Sequence, residues 1–243
     1  MNRFYYDLHL HSCLSPCGDN DSTPDSIVGM GELNGLNLMA LTDHNSCKNC
    51  PAFFKAAERH GITAVAGMEL TTAEDIHTVC LFESLEAALD FDREIEKRRI
   101  LIPNRPDVFG DQLILDGEDN VVGREEHLLI NATTLSLPEV PPLCEKYGGI
   151  CFPAHIDRES NGVIAVLGAF PVEPRFKLAE LHDSALMDSY CEKIGFKKEQ
   201  FIVSSDSHYL WDIKEQSDYF TLDAEGCGDE VRKSLFEFLR GAR

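Results

Sequence analysis

Two hydrophobic periods alternate along the chain. Short apolar runs bounded by turn residues fall at 3–10 (RFYYDLHL), 36–44 (LNLMALTDH), 62–70 (ITAVAGMEL) and 76–82 (IHTVCLF), and predict strands. Between them, stretches of helical period predict helices near 24–34, 49–60 and 84–100. The first is announced by STPD at 22–25, an N-cap followed by a proline suited to a first turn. The regularity lapses over about 101–137, where LILDGEDNVVG reads as a hairpin around GEDN and RPDVFGD as a loop, so this segment is read as an insertion or lid. The pattern resumes with a helix near 138–147, strands at 149–155 (GICFPAH), near 176–181 and at 201–208 (FIVSSDSH), and a final helix after Cys227. Repeated β-α units predict a single α/β domain over residues 1–243.

Composition adds bounds rather than identity. With 43% hydrophobic residues the chain can bury one sizeable core, and it has neither a run long enough to span a membrane nor an apolar leader at its start, so a cytoplasmic protein is expected. The formal net charge of −20, from 42 acidic and 22 basic residues, predicts that a long nucleic acid is not a partner, while leaving short phosphorylated ends open. Nine cysteines without an export signal predict reduced thiols. Cys80, Cys144 and Cys151 lie in apolar stretches and read as core. Cys13, Cys17, Cys47 and Cys50 fall in the loops after the first two strands, where they could bind a structural zinc or an iron-sulfur cluster, or stay unliganded thiols.

Chemistry gathers at the strand ends. In an extended chain residues i and i+2 share a face, so His9 and His11 of DLHLH aim both imidazoles at one point. The second strand ends in Asp43 and His44, the third in Glu69, and the late ones in His155 and in Asp206 with His208. Loops after parallel strands collect at one face of a β-α fold, which brings these residues together. His77 opens its strand instead of closing it, and joins the set only through the short connection from Glu69. With Asp43 left to orient a neighbour, the eight ligands His9, His11, His44, Glu69, His77, His155, Asp206 and His208 exceed one tetrahedral zinc and suit two or three ions bridged by carboxylates. His60 and His127 read as surface residues, and His182 as a weaker candidate for the site.

The elements DLHLHS, LMALTDHN, GMEL, IHTVCLF, PAHIDR and SSDSH, in this order, resemble the polymerase and histidinol phosphatase (PHP) family. The resemblance covers nearly all of the chain outside the insertion. It implies a distorted (β/α)7 barrel and a two- or three-metal site of manganese, zinc or iron, in a family dominated by phosphoesterases. It also implies a further ligand soon after HxH. Here that segment is SCLSPCGDND, in which Asp19 is the chosen ligand and Asp21 the second choice.

Clustered divalent ions acidify water and draw charge from phosphoryl oxygens, which suits hydrolysis of a phosphate ester. His208 or His44 is assigned to protonate the leaving oxygen, and Asp43 to orient His44. Arg158, three residues after His155, is the expected phosphate cation, against an ordinary ion pair with Asp157 or Glu159; Arg105 and Arg124 serve only if the insertion folds over the site. The substrate expected is a small phosphomonoester of nucleotide or nucleoside bisphosphate type. The alternatives are a 5′-3′ exonuclease on short oligonucleotides and a non-catalytic metal-binding regulatory module.

Overall fold

The apolar runs become strands and the amphipathic stretches helices in the computed structural model, which describes residues 1–241. Strands β1 (Asn2–Leu10), β2 (Leu38–Leu41) and β3 (Thr63–Thr71) lie parallel, joined by α1 (Pro24–Leu33) and α2 (Cys50–His60). Thr23 caps α1 by accepting the Ser26 N–H, with Pro24 in the first turn, as the STPD stretch predicts. Gly61 ends α2 in the left-handed region, at φ 67°, which its missing Cβ permits.

Next comes β4 (His77–Phe82), which reverses direction. It pairs antiparallel with β3, Thr71 opposite His77 and Glu69 opposite Val79. The start of β4 therefore lies beside the end of β3, and His77 reaches the strand-end face because its strand runs backwards. Helix α3 (Leu85–Glu96) follows, shorter than its helical period predicts. The insertion then forms α4 (Pro106–Phe109) and a hairpin of β5 (Leu113–Leu115) and β6 (Val121–Arg124), turning at GEDN as predicted, before α5 (Val140–Lys146).

Beyond α5, β7 (Ile150–Pro153) pairs antiparallel with β4, so the sheet is mixed where the β-α pattern predicted parallel neighbours. A short α6 (Val163–Leu167) leads to β8 (Ala179–Leu181), then α7 (Met187–Ile194) and β9 (Phe201–Val203), which pairs parallel with β8. The Ile156 N–H bonds the Glu180 carbonyl at 2.9 Å, and the His11 N–H bonds the Ser207 carbonyl at 2.9 Å. The curled sheet thus continues through β8 and β9 back to β1, making a distorted barrel of seven strands. β10 (Tyr219–Leu222) adds an antiparallel edge to β1, and α8 (Asp229–Gly241) ends the described chain. The segments α6, α7 and β10 are too short for sequence periodicity to signal.

Alternation in the strands sorts the core into two layers. Leu8, Leu38, Ala40, Val65, Val79 and Phe152 fill the barrel, whereas Met39 and Leu41 meet Ile27, Phe53 and Phe91 of the surrounding helices. Helix α8 lays Val231, Leu235, Phe236 and Leu239 against the barrel interior. Arg232 bonds the Ala64 carbonyl at 3.0 Å and the Gly228 N–H bonds Thr63 Oγ1 at 3.1 Å, so α8 closes the end where β3 begins. The opposite end is left for the site. No helix among the described residues is long and apolar enough to cross a membrane.

Candidate metal centre

Five imidazoles converge on one carboxylate. Glu69, fully buried near the end of β3, has His77 Nδ1 at 2.8 Å, His44 Nδ1 at 3.0 Å, His155 Nε2 at 3.1 Å, His11 Nε2 at 3.2 Å and His9 Nε2 at 3.3 Å. Asp206 Oδ1 lies 3.2 Å from His11 Nε2 and 3.4 Å from His9 Nε2. His208 stacks on His11 with ring centres 4.1 Å apart. Seven of these residues fall into three groups, each with all its ligand atoms within 4.8 Å of one another: His9–His11–Glu69–Asp206, His44–Glu69–His77 and His11–His44–His208; His155 lies outside them and joins only through Glu69, 3.1 Å away. The groups overlap at His11 and His44 and share Glu69, whose two carboxylate oxygens can bridge a pair of ions.

Partners behind the rings set which nitrogen faces the centre. His9 Nδ1 meets Glu180 Oε1 at 2.8 Å; the carboxylate accepts that N–H and leaves the Nε2 lone pair facing inward. Ser15 Oγ donates to Asp43 at 2.7 Å, so it accepts from His11 Nδ1 at 2.9 Å, and His11 also turns Nε2 inward. Asp43 accepts the Ser12 N–H and Ser12 Oγ as well, both at 2.7 Å. Through Ser15 it positions His11, and the same hydroxyl accepts the backbone N–H of His44 at 3.2 Å. Two ligands sit on left-handed backbone, His155 at φ 26° and Asp206 at φ 52°, a strain that surrounding structure must hold and that clusters at functional sites.

The donor set fits divalent ions. Glu69 Oε2, Asp206 Oδ1 and His44 Nδ1 are buried without a hydrogen-bond partner, although His44 Nδ1 stands 3.0 Å from Glu69 Oε2. Close approach without hydrogen-bond geometry is what lone pairs directed at shared ions produce. Burial, with the neighbouring His11, holds the His208 imidazole down to about 3, and burial holds His44 at about 4. Both imidazoles are thus held in the neutral form that carries a free lone pair. Burial opposes charge on His9 too, but Glu180, Glu69 and Asp206 outweigh it and raise that imidazole.

Arg158 does not pair with Asp157 or Glu159. Its Nη1 donates to Asp206 Oδ2 at 2.6 Å and its Nη2 to a ring nitrogen of His182, 3.2 Å away, which brings His182 to the edge of the centre. Asp19 stays outside the three ligand groups. Its N–H bonds the His208 carbonyl at 3.0 Å, and its carboxylate accepts the Asp21 N–H at 2.8 Å. Arg105 and Arg124 are exposed and pair with Asp107 and Asp111 within the insertion. His60 bonds Glu32 at 2.7 Å on the surface, and His127 lies 3.9 Å from Glu125. Cys47 and Cys50 direct their thiols to the Gly67 carbonyl at 3.2 and 3.7 Å, while Cys13 packs under Leu113 and Leu115, so the four loop cysteines form no metal group among the described residues. Sequence reasoning missed Glu180, Ser12 and Ser15. A glutamate inside the apolar run 176–181 was the signal for the first.

An α/β barrel that sets buried imidazoles and carboxylates at its strand ends, ready for several ions, is a metal-dependent hydrolase. A profile of the PHP domain matches residues 7–134, and the chain belongs to that family of phosphoesterases. It is similar to the 5′-3′ exoribonuclease of Haemophilus influenzae, 29% identical over 131 residues, covering 46% of each protein. It is also similar to the error-prone DNA polymerase of Symbiobacterium thermophilum, 34% identical over 77 residues, 32% of this chain and 7% of the polymerase. The chain thus spans less than half the length of either relative. Among solved structures the fold is that of the lesion-specific endonuclease PfuEndoQ of Pyrococcus furiosus, with a TM-score of 0.63, 16% identity, and coverage of 97% of this chain and 56% of that one. A complex of endonuclease Q with a 27-mer duplex carrying an abasic lesion at its active site matches with a TM-score of 0.59 and 18% identity, over 99% and 58% of the two chains. This corrects the expectation that a long nucleic acid is excluded. Net charge is a property of the whole surface, and endonuclease Q, whose structure is similar, is seen in complex with a duplex substrate.

Proposed function

We propose that the chain hydrolyses the phosphate ester of a nucleotide or nucleoside bisphosphate, with two or three ions of manganese, zinc or iron held by His9, His11, His44, Glu69, His77, His155, Asp206 and His208. The observation that supports this reading best is the buried Glu69 carboxylate common to two adjoining ligand groups, with the Arg158 guanidinium 2.6 Å from Asp206. Bound ions would supply an activated water and neutralise phosphoryl charge. The protein's own part is orientation. Glu180 and Ser15 fix the inward nitrogens of His9 and His11, and Asp43 fixes Ser15. Arg158, held by Asp206 and His182, offers its remaining N–H donors to a phosphate oxygen.

The test is metal analysis of the purified protein together with product analysis on nucleotides, nucleoside bisphosphates, histidinol phosphate and 5′-phosphorylated oligonucleotides. Two or three ions per chain with inorganic phosphate released from nucleotides is the expected result. Full metal loading without turnover across the panel would overturn the reading. Release of mononucleotides from the oligonucleotides would support the second reading, a 5′-3′ exonuclease, which the likeness to the Haemophilus influenzae exoribonuclease favours.

A further inference from the structure

Three cysteines that take no part in ligation meet between the sheet and α5. Cys80 of β4 and Cys144 of α5 are fully buried, while Cys151 of β7 is half-buried. The two strands are antiparallel with Cys80 opposite Cys151, so both side chains leave the same face of the sheet. Helix α5 packs there: a Cβ on Gly149 would stand 2.7 Å from Cys144 Sγ, so this thiol rests on the backbone two residues before Cys151. No metal group includes the three among the described residues, and their chemistry is that of thiols.

The register brings one pair into bonding range. The Ala154 N–H bonds the carbonyl of His77, directly opposite it, at 3.1 Å, and hydrogen-bonded pairs alternate along an antiparallel ladder. Cys80 and Cys151, three residues along each strand from that pair, are therefore a non-hydrogen-bonded pair, in which Cα atoms lie about 4.5 Å apart and side chains approach most closely. A disulfide spans Cα separations of roughly 4.4–6.8 Å, so the bond can close without moving the strands.

The surroundings activate Cys151 in particular. It lines a cavity of about 220 Å³ with Arg175, Lys177 and Arg240, against the carboxylate of Glu145. Reactive thiols occupy such electropositive, partly exposed places. Cys144 and then Cys80 donate their S–H groups to the Cys151 sulfur, which brings its thiol down to about 5 against the effect of burial. Burial holds both donors well above the usual thiol range, so they stay protonated.

We propose that Cys151 is a peroxide-reactive thiol that closes a reversible cross-strand disulfide with Cys80. The Cys151 thiolate attacks one oxygen of a hydroperoxide and the O–O bond breaks. The sulfur is oxidised to a sulfenic acid, and the departing alkoxide, or hydroxide from hydrogen peroxide, takes a proton from solvent. The Cys80 sulfur then attacks the Cys151 sulfur, forming the S–S bond, and the hydroxyl leaves as water with the Cys80 proton. A dithiol reduces the bond by exchange. The reaction does not depend on which ester the metal centre hydrolyses.

Mass-spectrometric peptide mapping of the reduced, folded chain tests this. A small excess of hydrogen peroxide should link Cys80 to Cys151, and dithiothreitol should undo the link. Iodoacetamide labelling of Cys151 should slow by less than about twofold from pH 8 to pH 6, where a thiol of ordinary pKa slows about a hundredfold. Cys80→Ser should leave a Cys151 sulfenic acid that dimedone traps, and Cys144→Ser should keep the link but slow Cys151 labelling at pH 6 about tenfold. No link after peroxide, a link from Cys151 to Cys144 in its place, or a hundredfold drop in Cys151 labelling between the two pH values would overturn the proposal. All three are read on the unmodified sequence, so they decide even where a variant fails to fold.

Discussion

The two ends of the barrel obey opposite rules. Where the strands of the parallel set begin, α8 brings Val231, Leu235, Phe236 and Leu239 onto Leu8, Val65 and Phe152, and burial there is apolar and ordinary in backbone. At the other end burial is polar. Glu69, His9, His11, His44 and Asp206 are packed out of water at distances near 3 Å, with acceptors left unpartnered and two residues on left-handed backbone. Hydrophobic transfer holds the first end together, whereas the second is complete only with charge supplied from outside the chain. The fold stabilises itself at one end and does chemistry at the other.

That contrast can be broken from either side. The largest effect is expected from His9→Ala or Asp206→Ala, which should remove metal and lower turnover by about a thousandfold or more; elemental analysis and kinetics check it, and normal activity in metal-free His9→Ala would refute the ligand assignment. Phe236→Ala, at the closed end, should cost about 3–5 kcal/mol in denaturant unfolding while the folded fraction keeps its metal content. Metal loss in that fraction would show that the ends are coupled.

Asp92 of α3 sharpens the comparison, being a buried carboxyl outside the ligand set. Burial, with Glu96 adding to it, lifts Asp92 from 3.8 to about 6, against the Cys47 N–H that it accepts at 2.9 Å. The folded chain thus binds this proton more tightly than the unfolded one, so its contribution is most favourable below about pH 4 and is lost as pH rises through 6. Asp92→Asn should stabilise the protein by about 3 kcal/mol at pH 8 and by nothing near pH 4, measured by unfolding at both.

The smaller effects test the residues behind the ligands. Glu180→Gln keeps an acceptor for His9 but removes its charge, and should weaken metal affinity about tenfold, read by chelator competition. Arg158→Ala should retain metal and raise KM or lower kcat by about tenfold. Unchanged kinetics there would leave the guanidinium as a partner of Asp206 alone.

The strands and the longer helices are legible because alternation and capping are local, as the STPD start of α1 shows. The short α6 and α7 and the edge strand β10 carry too few residues for a period. Of the site, the residues at strand ends were readable, since His9, His11, His44, Glu69, His155 and Asp206 all converge as their positions predict. Asp19 was not, because a loop's direction depends on what it packs against. Nor was Arg158's partner, since Asp206 is 48 residues away in the chain and Asp157 only one.

What the sequence determined by itself is the alternation of strand and helix and the chemistry stored at the strand ends, for both depend on neighbours along the chain. The tertiary structure alone decided the reversal of β4 that carries His77 to Glu69, the burial of Glu180 behind His9, and the relay from Asp43 through Ser15 to His11. These depend on which strands pair and in which direction, a choice made by packing energy summed over distant residues, and no local pattern encodes it.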